Sequence, residues 1–580
     1  MQHATIQGKK FLWRLPQTDH DTVLQIAADY NLSFPLAQTL VTRGFIDKQT
    51  LQDFLLVSKD ISVHDPALMK DAVKAVQRIL QAIENKEKIL IFGDYDVDGI
   101  TSSSLVMTAM MPLGAQVNFF LPNRARDGYG LSTKVVERAA ANGYTVIITV
   151  DNGTTAFAPC ARAKELGIDV IITDHHKPHG HTPDVFALVN PHQESCQYPY
   201  KYFAGVGVAF KLMTLLYREK QLELPTKVIE LLLLGTVADV VPLTGENRYW
   251  VRYGLAHINK HESYAIKVLK TNNKFVKPLI GSLDIGFTIA PQINALGRLD
   301  DPRQGVQFLI GSNESDTDRI GKLLWQLNQA RREIENEIFQ EVKAKIDSNA
   351  IDLSTENIII AASPNWASGV IGLVASRLVG AYGRPVLLFH LTKDGLAKGS
   401  CRSIPEFSIF DGLVENASLL ETFGGHAQAA GLAIKVENLP LLKANLEKKI
   451  AAELTEFDLL QKLRIDAHAK LPDFSHKFMS DMTHLEPFGH QNSQPYFYIQ
   501  DVVLVQRPTL MKDLHIKCVV FADGVIKSLV FFNRPELFEL LIGQGDESFD
   551  VVVQVMENYW NGKTTIELQG IDIAKLRKIV

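Results

Sequence analysis

A multidomain α/β architecture is what this 580-residue chain predicts, and three stretches carry the prediction. Between about 76 and 245, Val/Ile-rich strands alternate with helices. A long polar helix follows at Asn313–Ile346. From about 456 onward the pattern is strand after strand. At roughly 100–200 residues per domain, the length suits three to five domains.

Residues 1–75 read as short helices, Thr22–Tyr30 and Pro35–Thr42 among them, with Gly44 as a stop and no evident chemistry. Next come strands at Lys88–Phe92, Gln116–Leu121, Thr145–Val150 and Asp169–Thr173. Helices at Thr101–Leu113, Ser132–Asn142 and Phe157–Leu166 separate them. Strands apolar on both faces and separated by helices predict a parallel sheet covered on both sides. Such sheets bind ligands beyond the carboxyl ends of their strands. The long helix carries an apolar stripe (Leu324, Leu327, Ile334, Ile338, Val342, Ile346) and connects to a second α/β segment with strands at Ile358–Ser363 and Pro385–Phe389. Five strands after residue 456, with Asn561-Gly562 as a hairpin turn, predict a small barrel of the OB type. The expected domains are 1–75, 76–310, 311–350, 351–455 and 456–580.

Composition removes several classes. With 46% hydrophobic residues the chain has ample material for cores, so disorder is excluded as the dominant state. A net charge of −5 excludes a uniformly basic nucleic-acid coat, yet residues 248–278 hold seven Lys/Arg against one acid, Glu262. Cys160, Cys196, Cys401 and Cys518 form no CxxC pair and no disulfide framework, which suits a reducing cytoplasm. The N-terminus lacks the apolar run of a signal peptide, and no stretch reaches the roughly 18 apolar residues of a membrane span.

The chemistry concentrates at three strand ends. Lys88–Phe92 leads into Gly93-Asp94-Tyr95-Asp96-Val97-Asp98-Gly99, Thr145–Val150 into Asp151-Asn152-Gly153, and Asp169–Thr173 into Asp174-His175-His176. A parallel sheet brings all three to one edge. Asp94, Asp96 and Asp98 alternate at period two, so an extended run places them on one side. Five carboxylates and two imidazoles in one crevice call for cations, and oxygen ligands with histidine suit Mn²⁺ or Mg²⁺. An EF-hand fails, because Leu105 stands at the twelfth position and a strand precedes the loop. Each cluster alone reads as turn chemistry; three on one edge do not. Gly205-Val206-Gly207-Val208 is no dinucleotide loop, since Phe210 replaces the third glycine. Asp239 sits in an apolar run, as a helix-end carboxylate or a further ligand.

The order DYDVDG, VDNG, DHH, ADVVPL resembles the four motifs of the DHH phosphoesterase superfamily. Within it the chain is similar to the bacterial single-strand-specific DNA exonucleases, through PNRARDGYGL (122–131), APQINALGRLDD (290–301), WASGVIGLVASRL (366–378), GSCRSIP (399–405), GGHAQAAG (424–431), LEPFGHQN (485–492) and WNG (560–562). The resemblance implies two metal ions held by Asp94, Asp96, Asp98, Asp151, His175 and Asp239, with Asp151 as the bridge. It places His176 on substrate or on the attacking water. It also implies a parallel-sheet catalytic lobe, a DHH-associated second lobe, and an OB-like barrel. Phe92 stands where the superfamily has a histidine, and Asp94 takes over its role; Gln292 stands where an arginine is expected. Arg124, Arg298, Ser400 and Arg402 are implied phosphate contacts. Gly425 and His426, in a loop expected to open an Ala-rich helix, join them.

The implied activity is 5′→3′ hydrolysis of single-stranded DNA to 5′-mononucleotides in recombination and repair, by a monomer. Single-strand binding protein and a helicase are the implied partners. A phosphatase for short oligonucleotides has no use for the barrel, and a non-catalytic replication scaffold has no use for the ligand set.

Overall fold

The computed structural model describes residues 4–574 apart from 125, 179, 312, 544–546 and 561. The chain divides into two units. One comprises Met1–Gly297, Asp301–Leu324 and Leu463–Val580, the other Arg298–Asp300 and Trp325–Lys462.

The first unit opens with an antiparallel pair, β1 (Thr5–Gln7) and β2 (Leu12–Arg14), which sequence reading missed because three-residue strands carry too little periodicity. Helices His20–Asp29, Phe34–Thr42 and Lys48–Leu55 follow. Asp19 and Asp47 cap the first and third by accepting from the Thr22 and Thr50 N–H groups.

The predicted parallel sheet comprises β3 (Lys88–Phe92), β4 (Gln116–Phe120), β5 (Tyr144–Val150), β6 (Asp169–Thr173) and β7 (Ala187–Val189), in the order β4-β3-β5-β6-β7. Phe92 pairs with Thr149, Val150 with Thr173, and Thr173 with Val189, so the carboxyl ends lie level. Helices Val97–Met110, Gly205–Glu219 and Lys227–Ala238 deliver further site residues.

In the second unit, β8 (Ile359–Ser363), β9 (Val386–Leu391), β10 (Leu396–Arg402), β11 (Leu420–His426) and β12 (Ala429–Lys435) form a sheet in the order β11-β12-β10-β9-β8. The long helix runs Glu314–Asp347. Its Ile338 and Val342 pack with Ile371, Val374 and Leu378 of this unit.

β13 (Lys462–Arg464) joins β1 and β2. The remaining strands are β14 (Ala467–His468), β15 (Phe497–Leu504), β16 (Thr509–Met511), β17 (His515–Ala522), β18 (Val525–Phe531), β19 (Phe549–Trp560) and β20 (Lys563–Ala574). Neighbours run β15-β19-β20-β18-β17, and a β15–β17 pairing closes these five into the predicted barrel. Trp560 pairs with Lys563 across the β19–β20 hairpin; Gly562 adopts φ 74°, and Asn561 lies outside the described residues.

The barrel and the N-terminal helices share a core. Val23, Ile26, Leu36, Leu40, Leu51 and Phe54 cluster with Phe474, Phe497, Val520, Phe531 and Val553. Among the described residues no helix is long and apolar enough to cross a membrane.

Candidate metal centre

The level strand ends bring Asp94, Asp151 and Asp174 to one edge. Backbone bonds continue past the strands, with Asp151 N–H donating to Thr173 O (3.0 Å) and Asp174 N–H to Val189 O (3.1 Å). The three aspartates after β3 do not share one side of an extended run, contrary to what their period-two spacing predicts. Asp96 accepts from Gly99 N–H at 3.1 Å and caps the helix Val97–Met110, so the chain turns helical at Val97. Asp98 then falls in the first turn, and the trio separates.

Atoms able to ligate a metal gather in three overlapping groups: Asp94, Asp96 and Asp151; Asp98, His175 and Asp239; Asp151, His175 and His176. Asp151 and His175 each belong to two. His175 Nε2 lies 3.2 Å from Asp151 Oδ1, 3.6 Å from Asp239 Oδ2 and 3.9 Å from Asp98 Oδ2. Burial lowers the His175 pKa to about 3, so the ring is neutral. A backbone hydrogen bond at Phe203 orients it. Its Nε2 and Asp239 Oδ2 are buried without a hydrogen-bond partner. An unsatisfied imidazole lone pair facing three carboxylates fits a divalent cation.

Electrostatics point the same way. Burial first, and neighbouring carboxylates second, push Asp94, Asp151 and Asp239 well above the usual range and Asp98 to about 7. Cations remove both penalties.

This has a measurable consequence. A folded-state pKa raised from 3.8 to about 7 makes the Asp98 contribution complete below pH 4 and lost as pH rises through 7. Bound cations cancel that loss. The Tm gain on adding Mn²⁺ to chelator-treated protein is therefore expected to be several degrees larger at pH 8 than at pH 5.5. Differential scanning fluorimetry reads it, and a gain independent of pH contradicts the account.

Asp174 plays a different part. Its Oδ1 accepts from the His175 and His176 N–H groups (2.8 and 3.2 Å) and pairs with His176 Nδ1 at 2.7 Å; its Oδ2 accepts from Thr154 N–H at 2.9 Å. Burial alone raises the Asp174 pKa, but the His176 hydrogen bond and both imidazoles bring it below the ordinary value. Burial opposes charge on His176 too, yet Asp174 lifts it to about 9, so this ring is an imidazolium at neutral pH.

One participant escaped sequence reading. The Gly205 and Val206 N–H groups, opening the helix Gly205–Glu219, donate to Asp98 Oδ2 and Oδ1 at 2.6 and 2.8 Å. Asp151 adopts φ 62°, and a Cβ on Gly205 would stand 2.5 Å from the Asp151 Cβ. Gly205 is thus a packing requirement between two candidate ligands, legible only once both are placed. Gly205→Ala is expected to weaken Mn²⁺ binding about tenfold or more and to lower kcat with KM for DNA little changed. Metal titration by electron paramagnetic resonance measures it; unchanged affinity contradicts the role.

Phe92 is buried and stacked on Phe120, and Asp94 stands in the first group of ligands. Exposed Arg124 lies over the Tyr95 ring, 5.3 Å from its centroid, and its charge offsets a little of the burial-driven rise in the Asp94 pKa. Gln292 is no phosphate contact. It is fully buried, donating to Leu269 O and Thr288 O and accepting from Asn272.

The other expected contacts lie in the second unit. Arg298 donates to Gly369 O at 2.9 Å from the last turn of the helix Ala290–Leu299. Arg402 donates to Ser400 Oγ (3.2 Å) and Cys401 O (2.7 Å). The expected Ala-rich helix after Gly425 and His426 does not form. Those residues end β11, with Gly425 opposite Ala430 and His426 opposite Ala429 in a hairpin. Gly425 has φ 141° and backs onto Ala429 and Ala430, where a Cβ has no room, so strand pairing wins over alanine's helix propensity.

The DHH family, N-terminal domain, matches residues 88–236, the DHHA1 domain 355–452, and the RecJ OB domain 465–572. The single-stranded-DNA-specific exonuclease RecJ of Bacillus subtilis strain 168 is 35% identical over 98% of this chain and 71% of its own. RecJ of Escherichia coli K12 is 34% identical over 78% of this chain and 81% of its own. The crystal structure of RecJ in complex with Mn²⁺ from Thermus thermophilus superposes with TM-score 0.81 at 26% identity, over 98% of this chain and 80% of that one.

Proposed function

The chain belongs to the RecJ family of single-stranded-DNA-specific exonucleases, and from that premise and the site we propose that it hydrolyses single-stranded DNA from the 5′ end. The products are 5′-mononucleotides, and the setting is recombination and repair. The observation that carries the reading is the buried, unpartnered His175 Nε2 and Asp239 Oδ2 among potential ligands that fall into three groups linked through Asp151 and His175.

Asp94, Asp96 and Asp151 would hold one Mn²⁺ or Mg²⁺ ion, and Asp98, His175 and Asp239 the other, with Asp151 touching both. Two bound divalent ions supply Lewis acidity and an activated water for phosphodiester hydrolysis. The protein's own part is geometric. The Gly205–Val206 backbone fixes Asp98, and a backbone hydrogen bond at Phe203 fixes His175. Asp174 holds a proton on His176 Nδ1, leaving Nε2–H to donate to substrate at the half-exposed rim.

Ser400 and Arg402 would read the terminal 5′-phosphate, whose extra charge suits a fork of donors, and Arg124 would contact phosphate. Arg298, Gly425 and His426 would contact the strand. The barrel holds the strand by stacking and charge. The protein acts as a monomer in the cytoplasm, where its four cysteines are free and buried, with single-strand binding protein and a helicase as partners.

The test is digestion of end-labelled single and double strands with Mn²⁺, Mg²⁺ or chelator. Metal-dependent loss of single strands from the 5′ end is expected; resistance of every substrate, with metal binding intact, overturns the reading. Arg402→Ala is expected to slow 5′-phosphorylated strands more than tenfold beyond 5′-hydroxyl strands, from about 1.5–3 kcal/mol per charge-assisted bond. Equal slowing of both in initial-rate assays assigns Arg402 to the general backbone.

A further inference from the structure

The basic stretch 248–278 does not act as one patch. Arg248 is buried and donates to Phe54 O (3.0 Å), His484 O (2.8 Å) and Leu485 O (3.1 Å), and Lys270 pairs with Glu262 at 2.6 Å. What remains outside is different in kind. Lys267 and Lys274 are exposed, and Lys277 keeps half its side chain in solvent while bonding Asp284 at 2.7 Å. Beside them stand Phe287 (76% exposed), Val276 (68%) and Leu279 (63%), and Phe287 is the most exposed large apolar side chain among the described residues.

Side-chain hydrogen bonds tie these segments together. Asn273 Nδ2 donates to Thr288 O at 3.4 Å, which ties the segment carrying Lys274 to the residue after Phe287. Lys277 and Asp284 tie the two ends again. Phe287 sits in a wide π-helical turn, Ile285–Ile289, whose end residues are buried. With those ends buried, the Phe287 side chain between them is left in solvent. Scattered exposed apolar residues need no explanation. An exposed phenyl ring on a segment tied to exposed lysines matches base stacking beside phosphate neutralisation.

We infer that the Phe287 surface, with Lys267, Lys274 and Lys277, is a contact site for single-stranded nucleic acid. It stacks one base and neutralises the flanking phosphates. The inference rests on the exonuclease reading for its substrate class and adds a place where the strand is held.

Fluorescence anisotropy with labelled oligo(dT), in chelator so that nothing is cut, tests it. Phe287→Ala is expected to weaken binding on the order of tenfold, and Phe287→Trp to restore it. On a strand of abasic residues Phe287→Ala should change nothing. Replacing all three lysines with glutamine should reduce the slope of log Kd against log salt by about 2, at about 0.7 per phosphate. The exposed ring makes misfolding avoidable, and an unchanged Tm checks it. Wild-type affinity in Phe287→Ala, or an equal loss on abasic strands, overturns the inference. Wild-type protein that neither binds nor cuts single strands overturns the exonuclease reading instead.

Discussion

Asp151→Asn is expected to abolish hydrolysis while leaving the fold intact. Asp151 is the aspartate shared between two groups of ligand atoms, and its Oδ1 lies 3.2 Å from His175 Nε2. Losing it takes one ligand from each proposed metal, and none of the neighbouring carboxylates reaches both groups. Two-metal chemistry supplies several kcal/mol of transition-state stabilisation, and each 1.36 kcal/mol is tenfold, so the loss should be about 10³-fold or more. Asparagine is the right replacement because φ at this position is 62°. Asn tolerates the left-handed region, whereas alanine adds about 1 kcal/mol of backbone strain. DNA binding should persist, because Arg124 and Arg402 remain. Single-turnover assays beside anisotropy measure the two properties separately. A rate within tenfold of wild type contradicts the shared-ligand assignment.

What was legible in the sequence depended on the range of the interaction that decides it. The parallel sheet, the long helix and the five barrel strands follow from local periodicity, which burial imposes on every residue of an element. The three acidic strand ends followed from the sheet, since parallel strands must end at one edge. The spacing of Asp94, Asp96 and Asp98 misled because a capping hydrogen bond, Asp96 to Gly99 N–H, outweighed the extended conformation that period two suggests. His426 misled in the opposite sense: alanines that suit a helix were recruited into a hairpin by their pairing with Gly425 and His426. Asp239 was ambiguous until the helix Lys227–Ala238 was placed, because its cluster partners are more than 60 residues away in sequence. Arg248 looked like surface charge and is instead a buried donor to three carbonyls from two distant segments. No local pattern encodes such a contact.

Deletion of residues 463–580 should unfold the N-terminal segment, in addition to the weaker hold on long strands expected of losing a barrel. Seven apolar side chains of that segment (Val23, Ile26, Leu36, Leu40, Leu51, Phe54, Leu55) belong to the same core as the barrel's Phe497, Val520 and Phe531. At about 1.5–3 kcal/mol for each fully buried side chain, exposing even half of them costs about 5–10 kcal/mol. That is comparable with the whole stability of a typical domain, about 5–15 kcal/mol. The polar ties go too. Asp572 accepts from Trp13 Nε1 (3.0 Å) and Phe11 N–H (3.0 Å), and Arg43 pairs with Asp466 at 2.8 Å. Arg248 would lose two of its three acceptors, His484 O and Leu485 O, while remaining a charge in a largely apolar site. Limited proteolysis should therefore find new cleavage between residues 20 and 62 in the truncated protein, with Tm lowered by ten degrees or more, roughly 2–4 °C for each kcal/mol at this size. Metal binding should suffer less than the N-terminal fold, because every ligand lies between Asp94 and Asp239 on the other side of those helices in sequence. A truncated protein whose residues 20–62 stay protected, with Tm within a few degrees of the full chain, would show that the shared core contributes little and that the barrel serves the strand alone.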